Sequence, residues 1–174
     1  MNKDMLNALM ERRSIRSYKK TQITDEELEA VLKAGQYAPT GRNRMSTQFV
    51  AIQNKELIAR LSEWNAAVMG TDSDPFYGAP TVILVLADSN INTYREDGAL
   101  ALGSMMNAAY AAGLRSCWIN RAREMFSSRE GKELLREWGL SESLEGIGFC
   151  ILGYPDCDNP VPVPRRDDQI LIIK

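Results

Sequence analysis

An unbroken apolar run at residues 81–87 (TVILVLA) constrains the fold of this chain more than any other segment. A strand with one solvated face alternates apolar and polar residues, whereas a strand covered on both faces is apolar throughout. The run is therefore predicted to be an inner strand of a sheet with a packed layer on each side. The 174 residues of the chain are enough for one such domain with a substantial core.

Helical and extended patterns alternate on both sides of this run. Helical spacing of apolar side chains is found at residues 4–12, 55–69, 94–112 and 128–138. Another helix begins at a capping box formed by Thr24 and Glu27, and it is expected to end before Pro39. Further strands are predicted at residues 48–53, 116–120 and 146–152. The alternation favours an α/β or α+β sandwich, and we interpret residues 1–174 as a single domain.

The C-terminal segment has the character of an arm. Four prolines between residues 155 and 164 favour an extended backbone that cannot form a central strand. The apolar residues 169–174 (QILIIK) follow, and an apolar strand left alone at a sheet edge attracts other chains. We predict that the arm joins the sheet of a second subunit in an intertwined homodimer. The alternative is that it folds back on its own sheet.

Composition excludes several classes of chemistry. The chain has no histidine, which excludes Ser-His-Asp and Cys-His catalysis, and its three cysteines form no CxxC pair. A net charge of −2 argues against nucleic-acid binding through bulk positive charge. No apolar run approaches the ~20 residues that span a bilayer. The first residues lack a signal-peptide core, so a cytoplasmic protein with no membrane partner is expected. If the chain is an enzyme, a bound cofactor is expected to carry the chemistry, and neither a catalytic side chain nor a metal site is predicted.

A basic motif at residues 12–16 (RRSIR) is a candidate anion site. In an extended segment alternate side chains share a face, so Arg12, Ser14 and Arg16 are predicted to point the same way. Two guanidinium groups and a hydroxyl suit a phosphate and the polar groups beside it. The alternative is a solvated basic turn.

Two further motifs could complete such a site. Residues 38–43 (APTGRN) form a turn-rich loop, in which the amide of Asn43 offers a donor and an acceptor to a planar heterocycle. Near the C-terminus, prolines lower the entropy cost of holding Arg165 and Arg166, which could complete a phosphate site begun by Arg12. The alternatives are an ordinary loop that ends a helix and a basic surface patch.

The three motifs occur in a defined order over nearly the whole chain, with DGAL at residues 97–100 and GLRSCWI at residues 113–119 between the second and the third. This ordered set resembles the nitroreductase family of FMN-dependent oxidoreductases. The resemblance implies an α+β fold with a central, mainly antiparallel sheet flanked by helices. It also implies a homodimer that exchanges its C-terminal arms and holds two FMN sites at the interface.

The resemblance also implies a set of cofactor-binding residues. They are Arg12, Arg13, Ser14, Arg16, Pro39, Thr40, Gly41, Asn43, Asn120, Arg165 and Arg166. Arg12 and Arg13 are expected near the FMN phosphate, and Ser14 on its ribityl side. Arg16 is expected at the pyrimidine edge, where a cation would raise the flavin potential. Asn120 is expected near flavin N5.

The remaining residues of that set come from two segments far apart in the chain. By resemblance, the four residues of loop 39–43 reach the flavin from the other subunit, and Arg165 and Arg166 close over the phosphate. The chain departs from the family at residues 45–47 (MST), where Gln-Pro-Trp is common, and in its short loop at residues 71–78. We therefore expect a differently shaped substrate cavity and a more open flavin.

The implied activity is a ping-pong transfer of hydride from NADH or NADPH, through flavin N5, to a nitroaromatic, quinone or similar small acceptor. Hydride transfer at N5 needs a donor held against the ring, and it needs no histidine. Two alternatives stay open. One is a flavoprotein reduced by ferredoxin or another protein donor, and the other is a non-catalytic flavin-binding module.

Overall fold

The structure is a computed structural model that describes residues 3–174, with side chains from residue 5 onward. Residues 1 and 2, which belong to the predicted domain and to the segment inspected for a signal peptide, lie outside the described residues. The helices are α1 (Lys3–Glu11), α2 (Asp25–Gln36), α3 (Lys55–Met69), α4 (Tyr94–Ala111), α5 (Ala122–Ser127) and α6 (Arg129–Glu137). The strands are β1 (Thr47–Ile52), β2 (Thr81–Asp88), β3 (Arg115–Ile119) and β4 (Leu144–Gly153).

The strands form one antiparallel sheet in the order β1-β2-β4-β3. The apolar run is the inner strand β2, and all of its residues from 81 to 87 are buried. Thr81 lies opposite Leu152 of β4, and a bulge interrupts the register between Val85 and Leu86. The prediction of an inner strand covered on both faces is confirmed.

The side chains of β2 divide between two cores, one on each face of the sheet. Val82, Leu84 and Leu86 pack in the core to which α3, α5 and α6 contribute. Ile83 and Val85 pack in the core built with α2 and α4. Successive strand residues point to opposite faces, so both helical layers rest on the same strand. The predicted α+β sandwich with a mainly antiparallel sheet is confirmed. Across residues 3–174, no helix has both the length and the apolar character of a membrane span.

Two elements differ from the sequence prediction. Helix α5 was not predicted, because six residues are too few to show helical periodicity. The predicted strand at residues 169–174 does not form within the described chain: Asp167–Gln169 is a single 3-10 turn, and residues 170–174 have no regular structure. A strand needs hydrogen bonds from a neighbouring strand, and this segment has none in its own sheet. The alternative in which the arm folds back on its own sheet is therefore not observed.

The two outer edges of the sheet differ. Along β3, the N–H of Ile15 donates to the carbonyl of Ser116 at 3.1 Å, and Ser14 forms an isolated bridge with the same residue. Along β1, no strand of the described chain pairs with the outer edge. An open edge presents unpaired backbone donors and acceptors to any extended segment that reaches it.

The cysteines of the sheet are structural. Cys117 and Cys150 lie in the two cores, whereas Cys157 is exposed on the arm. Burial raises the pKa of the Cys150 thiol to about 12. Cys150 is fully buried in the core and its thiol stays protonated at neutral pH, so it packs as a small apolar residue.

Candidate functional site

The N-terminal arginine motif and the C-terminal arm meet at one cavity, which we term the arginine cavity. Its volume is about 540 Å³. Its lining residues are Leu9, Met10, Arg12, Arg13, Pro162, Val163, Pro164 and Arg165. Three of the eight lining residues are arginines, and the described lining includes no carboxylate. The positive charge of such a lining would be balanced by an anionic ligand.

Two of these arginines each have one buried nitrogen without a hydrogen-bond partner. The two atoms are Arg12 Nη1 and Arg13 Nε, and no atom of the described residues bonds to either. A buried donor left unpaired costs about 1–3 kcal/mol, and more when the group is charged. The Nη1 atom of Arg13 donates to the carbonyls of Met10 at 2.6 Å and Arg12 at 2.8 Å, so this side chain also holds the end of α1. Both residues line the arginine cavity, so side chains with unsatisfied cationic donors border it.

Only one of the two predicted arm arginines lies at the cavity. Arg165 lines it, between the proline-rich residues 162–164 and the N-terminal motif. Arg166 instead makes a bidentate ion pair with Asp168, with both N–O distances at 2.8 Å. The guanidinium that the sequence pattern assigns to a phosphate is therefore paired with the carboxylate of Asp168.

Ser14 and Arg16 lie further along the N-terminal segment. Ile15 is buried between them, and Arg16 is exposed, as expected for alternate residues of an extended chain. The alternation does not extend back to Arg12, because Arg12 N–H still bonds to the carbonyl of Ala8 at 3.1 Å, in the manner of a helix. Arg12 and Arg13 therefore share the arginine cavity, whereas Arg16 lies outside its lining.

The loop at residues 39–46 is held by one buried carboxylate. Asp97, at the start of α4, is only 2% exposed. Its Oδ1 accepts from Gly41 N–H at 2.8 Å. Its Oδ2 accepts from the hydroxyls of Ser46 at 2.6 Å and Thr93 at 3.2 Å. The predicted loop is thus fixed to the core at both of its ends.

The same loop has a strained backbone. Arg42, Asn43 and Met45 have positive φ angles of 54°, 54° and 49°. Gly41 is required by a close approach, because a Cβ there would lie 2.3 Å from the hydroxyl oxygen of Thr93. Non-glycine residues in this region cost about 1–3 kcal/mol each, and they concentrate at functional loops. The loop does not line the arginine cavity of its own chain.

Asn120 lies in the turn after β3, and its side chain is exposed. Its carbonyl accepts a hydrogen bond from Nδ2 of the buried Asn65 at 2.8 Å. The next residue, Arg121, has a positive φ of 78° and opens α5. Asn65 therefore fixes the backbone of this turn from helix α3.

Three residues that shape these segments are assigned no role by the sequence analysis, although Asp97 lies in the DGAL segment quoted there. Asn65 is a buried polar residue between apolar neighbours in its helix, which is the signal that could have singled it out, whereas Asp97 follows Arg95 and Glu96 and gives no such signal. Tyr77 projects from a polar loop, and no pattern in the sequence distinguishes it from a solvated turn residue.

The fold and the site define a class of protein: an α+β sandwich in which the N-terminal segment and the C-terminal arm line one arginine-containing cavity. The chain belongs to the nitroreductase family, whose family model matches residues 9–154. The match covers the two motifs in the first quarter of the chain and ends just before the arm.

Individual relatives agree with this assignment. A crystal structure of a nitroreductase with bound FMN from Bacteroides fragilis superposes with a TM-score of 0.89, at 28% identity over 98% of each chain. A nitroreductase with bound FMN from Desulfitobacterium hafniense gives a TM-score of 0.87, at 25% identity over 100% of each chain. A protein from Archaeoglobus fulgidus whose name includes NAD(P)H nitroreductase is 29% identical over 158 residues, which are 87% of this chain and 86% of that protein.

Proposed function

We propose that this chain is an FMN-dependent oxidoreductase that takes electrons from NADH or NADPH and reduces a nitroaromatic, a quinone or a similar small acceptor. The observation that carries the proposal is the arginine cavity, because its described lining includes three arginines and no carboxylate. The FMN named with the similar structures, and the NAD(P)H named with the archaeal relative, support the choice of cofactor and donor.

The residues present fit FMN. Arg12, Arg13 and Arg165 would hold its phosphate, because they supply three cations around one cavity without a competing carboxylate in the described lining. Ser14 and Arg16 follow on the same extended segment and would extend the contacts toward the ring. When bound, FMN supplies two-electron redox chemistry at N5 of its ring.

The protein contributes binding, orientation and exclusion of water. The chain has no histidine, so no imidazole holds or moves a proton. The backbone carbonyl of Asn120 is fixed by Asn65, and the turn after β3 would lie beside the flavin ring. The strained loop with Pro39, Thr40, Gly41 and Asn43 would reach the ring of the partner subunit. A site built in this way works mainly by positioning its ligands.

The test is the visible absorbance of the purified protein, with the released chromophore identified after denaturation. We expect a flavin spectrum and about one FMN per chain, since one arginine cavity serves each subunit. Anaerobic titration with NADH, NADPH and reduced ferredoxin then identifies the donor. A colourless protein that takes up no added FMN would refute the proposal. Reduction by ferredoxin alone would support the protein-donor alternative, and bound flavin that passes electrons to no acceptor would indicate a binding module.

We also propose that two chains exchange their C-terminal arms. The apolar end of the arm is exposed throughout, from 72% at Ile172 to 87% at Ile173, although four consecutive apolar residues rarely face water. The outer edge of β1 is the complementary surface, because no strand of the described chain pairs with it. When two copies meet, the arm of one chain could form backbone hydrogen bonds with the open β1 edge of the other and bury its apolar side chains there.

Deleting residues 169–174 is expected to convert the dimer into a monomer. The deletion removes the segment that would pair with β1 and keeps Arg165 at the arginine cavity. Sedimentation at several protein concentrations measures the change in mass. A matched control replaces Ile170 and Ile172 with valine, which keeps an apolar strand and is expected to leave the dimer intact. A truncated chain that still sediments as a dimer would contradict the arm exchange.

A further inference from the structure

Tyr77 lies at the tip of a tight turn between α3 and β2. Asp74 organises this turn, because its carboxylate accepts from the N–H of Phe76 at 2.8 Å and from the N–H of Gly78 at 2.6 Å. The hydroxyl of Ser62, on α3, donates to the same carboxylate. Tyr77 N–H closes the turn on the carbonyl of Asp74 at 3.3 Å. The backbone on both sides of Tyr77 is therefore fixed.

The ring of Tyr77 is exposed although its neighbours are anchored in the core. Phe76 is 1% exposed and its ring centroid lies 5.1 Å from that of Phe149. Tyr77 is 41% exposed, and its φ of 54° lies in the left-handed region. A glycine would adopt this φ without strain, whereas a tyrosine there is strained. Because the ring is exposed, its burial does not offset this strain, and the contact that the ring makes is the remaining source of stabilisation.

That contact is with Arg16. The guanidinium carbon of Arg16 lies 5.8 Å from the centroid of the Tyr77 ring, within the range of a cation–π interaction. No carboxylate of the described chain forms an ion pair with Arg16. An exposed arginine with no such partner has many accessible rotamers, and a rigidly mounted ring reduces their number.

We propose that Tyr77 is a positioning residue for Arg16, and that its ring holds the guanidinium at the pyrimidine end of the FMN site. This inference rests on the proposed function. A guanidinium held at that end favours the form of the cofactor that carries the extra negative charge, and so raises its reduction potential. Because Asp74 fixes the turn, the short loop at residues 71–78 holds the Tyr77 ring in place beside Arg16.

The test compares three substitutions of Tyr77 in the FMN-loaded protein. Tyr77→Phe keeps the ring and is expected to match the unsubstituted protein. Tyr77→Leu keeps an apolar side chain without a π face, and Tyr77→Gly removes the side chain and relieves the positive φ. We expect both to weaken FMN binding about two- to fivefold, as loss of a cation–π contact implies, and to make the two-electron reduction potential more negative. The Tyr77→Gly apoprotein is expected to be at least as thermally stable as the parent, which separates the effect from loss of folding.

Arg16→Ala supplies the reference for these measurements. It is expected to shift the potential in the same direction and further, and Tyr77→Leu added to it is expected to change nothing more. A shift with Arg16→Ala and none with Tyr77→Leu or Tyr77→Gly would overturn the role of Tyr77 alone. No shift with Arg16→Ala would overturn both the placement of Arg16 and the role of Tyr77. A protein that binds no FMN at all would refute the proposed function and this inference together.

Discussion

Replacing Arg12 and Arg165 together with alanine is expected to yield a protein that folds but does not retain FMN. Each substitution removes a charge-assisted contact worth about 1.5–3 kcal/mol, so the dissociation constant should rise by roughly 10² to 10⁴. Folding should survive, since Arg12 Nη1 has no partner in the described chain and Arg165 lies on the exposed arm. Titration of the apoprotein with FMN, followed by flavin fluorescence, measures the change.

Arg166→Ala is the matched control for this experiment. Arg166 is the neighbour of Arg165, but it pairs with Asp168 and lies outside the arginine cavity. We expect its removal to change the dissociation constant by less than about fivefold, as for an exposed ion pair. If Arg166→Ala weakened FMN binding as strongly as the double substitution, the phosphate would contact the other arm arginine and the cavity would be wrongly assigned.

Asp97→Ala is expected to destabilise the protein by about 3 kcal/mol, a large fraction of the stability of a domain of this size. The substitution leaves the N–H of Gly41 and the hydroxyl of Ser46 without their acceptor, next to a cavity where the carboxylate stood. The loop at residues 39–46 should lose its anchor at both ends. Urea unfolding followed by circular dichroism measures the loss, and FMN titration shows whether the loop also supports the cofactor.

Two milder variants calibrate the effect of Asp97. Asp97→Asn keeps the size of the side chain and one acceptor oxygen, so about half of the loss is expected. Thr93→Val removes the longest of the three hydrogen bonds, at 3.2 Å, and should cost less than about 1 kcal/mol. If Asp97→Ala unfolded at the same urea concentration as the parent, the carboxylate would not anchor the loop.

The sequence predicts the layers of this protein better than its site. The apolar run at residues 81–87 requires a strand covered on both faces, and the capping box at Thr24 begins a helix one residue later, at Asp25. Both signals are local, because periodicity and capping act over a few neighbouring residues. The sheet order β1-β2-β4-β3 has no comparable local signal, since it depends on which strands meet after the chain has turned.

The site depends on contacts that no local pattern contains. From the sequence, Arg165 and Arg166 are equally good candidates for binding a phosphate. The structure distinguishes them, because Arg166 forms an ion pair with Asp168. Asp97 lies more than fifty positions from Gly41 in the chain, yet it accepts a hydrogen bond from that residue. The strand predicted at residues 169–174 does not form, because no strand of the described residues pairs with this segment.

The guanidinium of Arg13 serves two structures at once. Its Nη1 atom donates to the carbonyl of Met10 at the end of α1, and the same side chain lines the arginine cavity. Anything that fixes the cavity end of this side chain also fixes the helix end, so the two equilibria are thermodynamically linked. Fraying of α1 and loss of an anion should therefore rise and fall together. Amide hydrogen exchange in α1 is therefore expected to slow when a ligand occupies the arginine cavity.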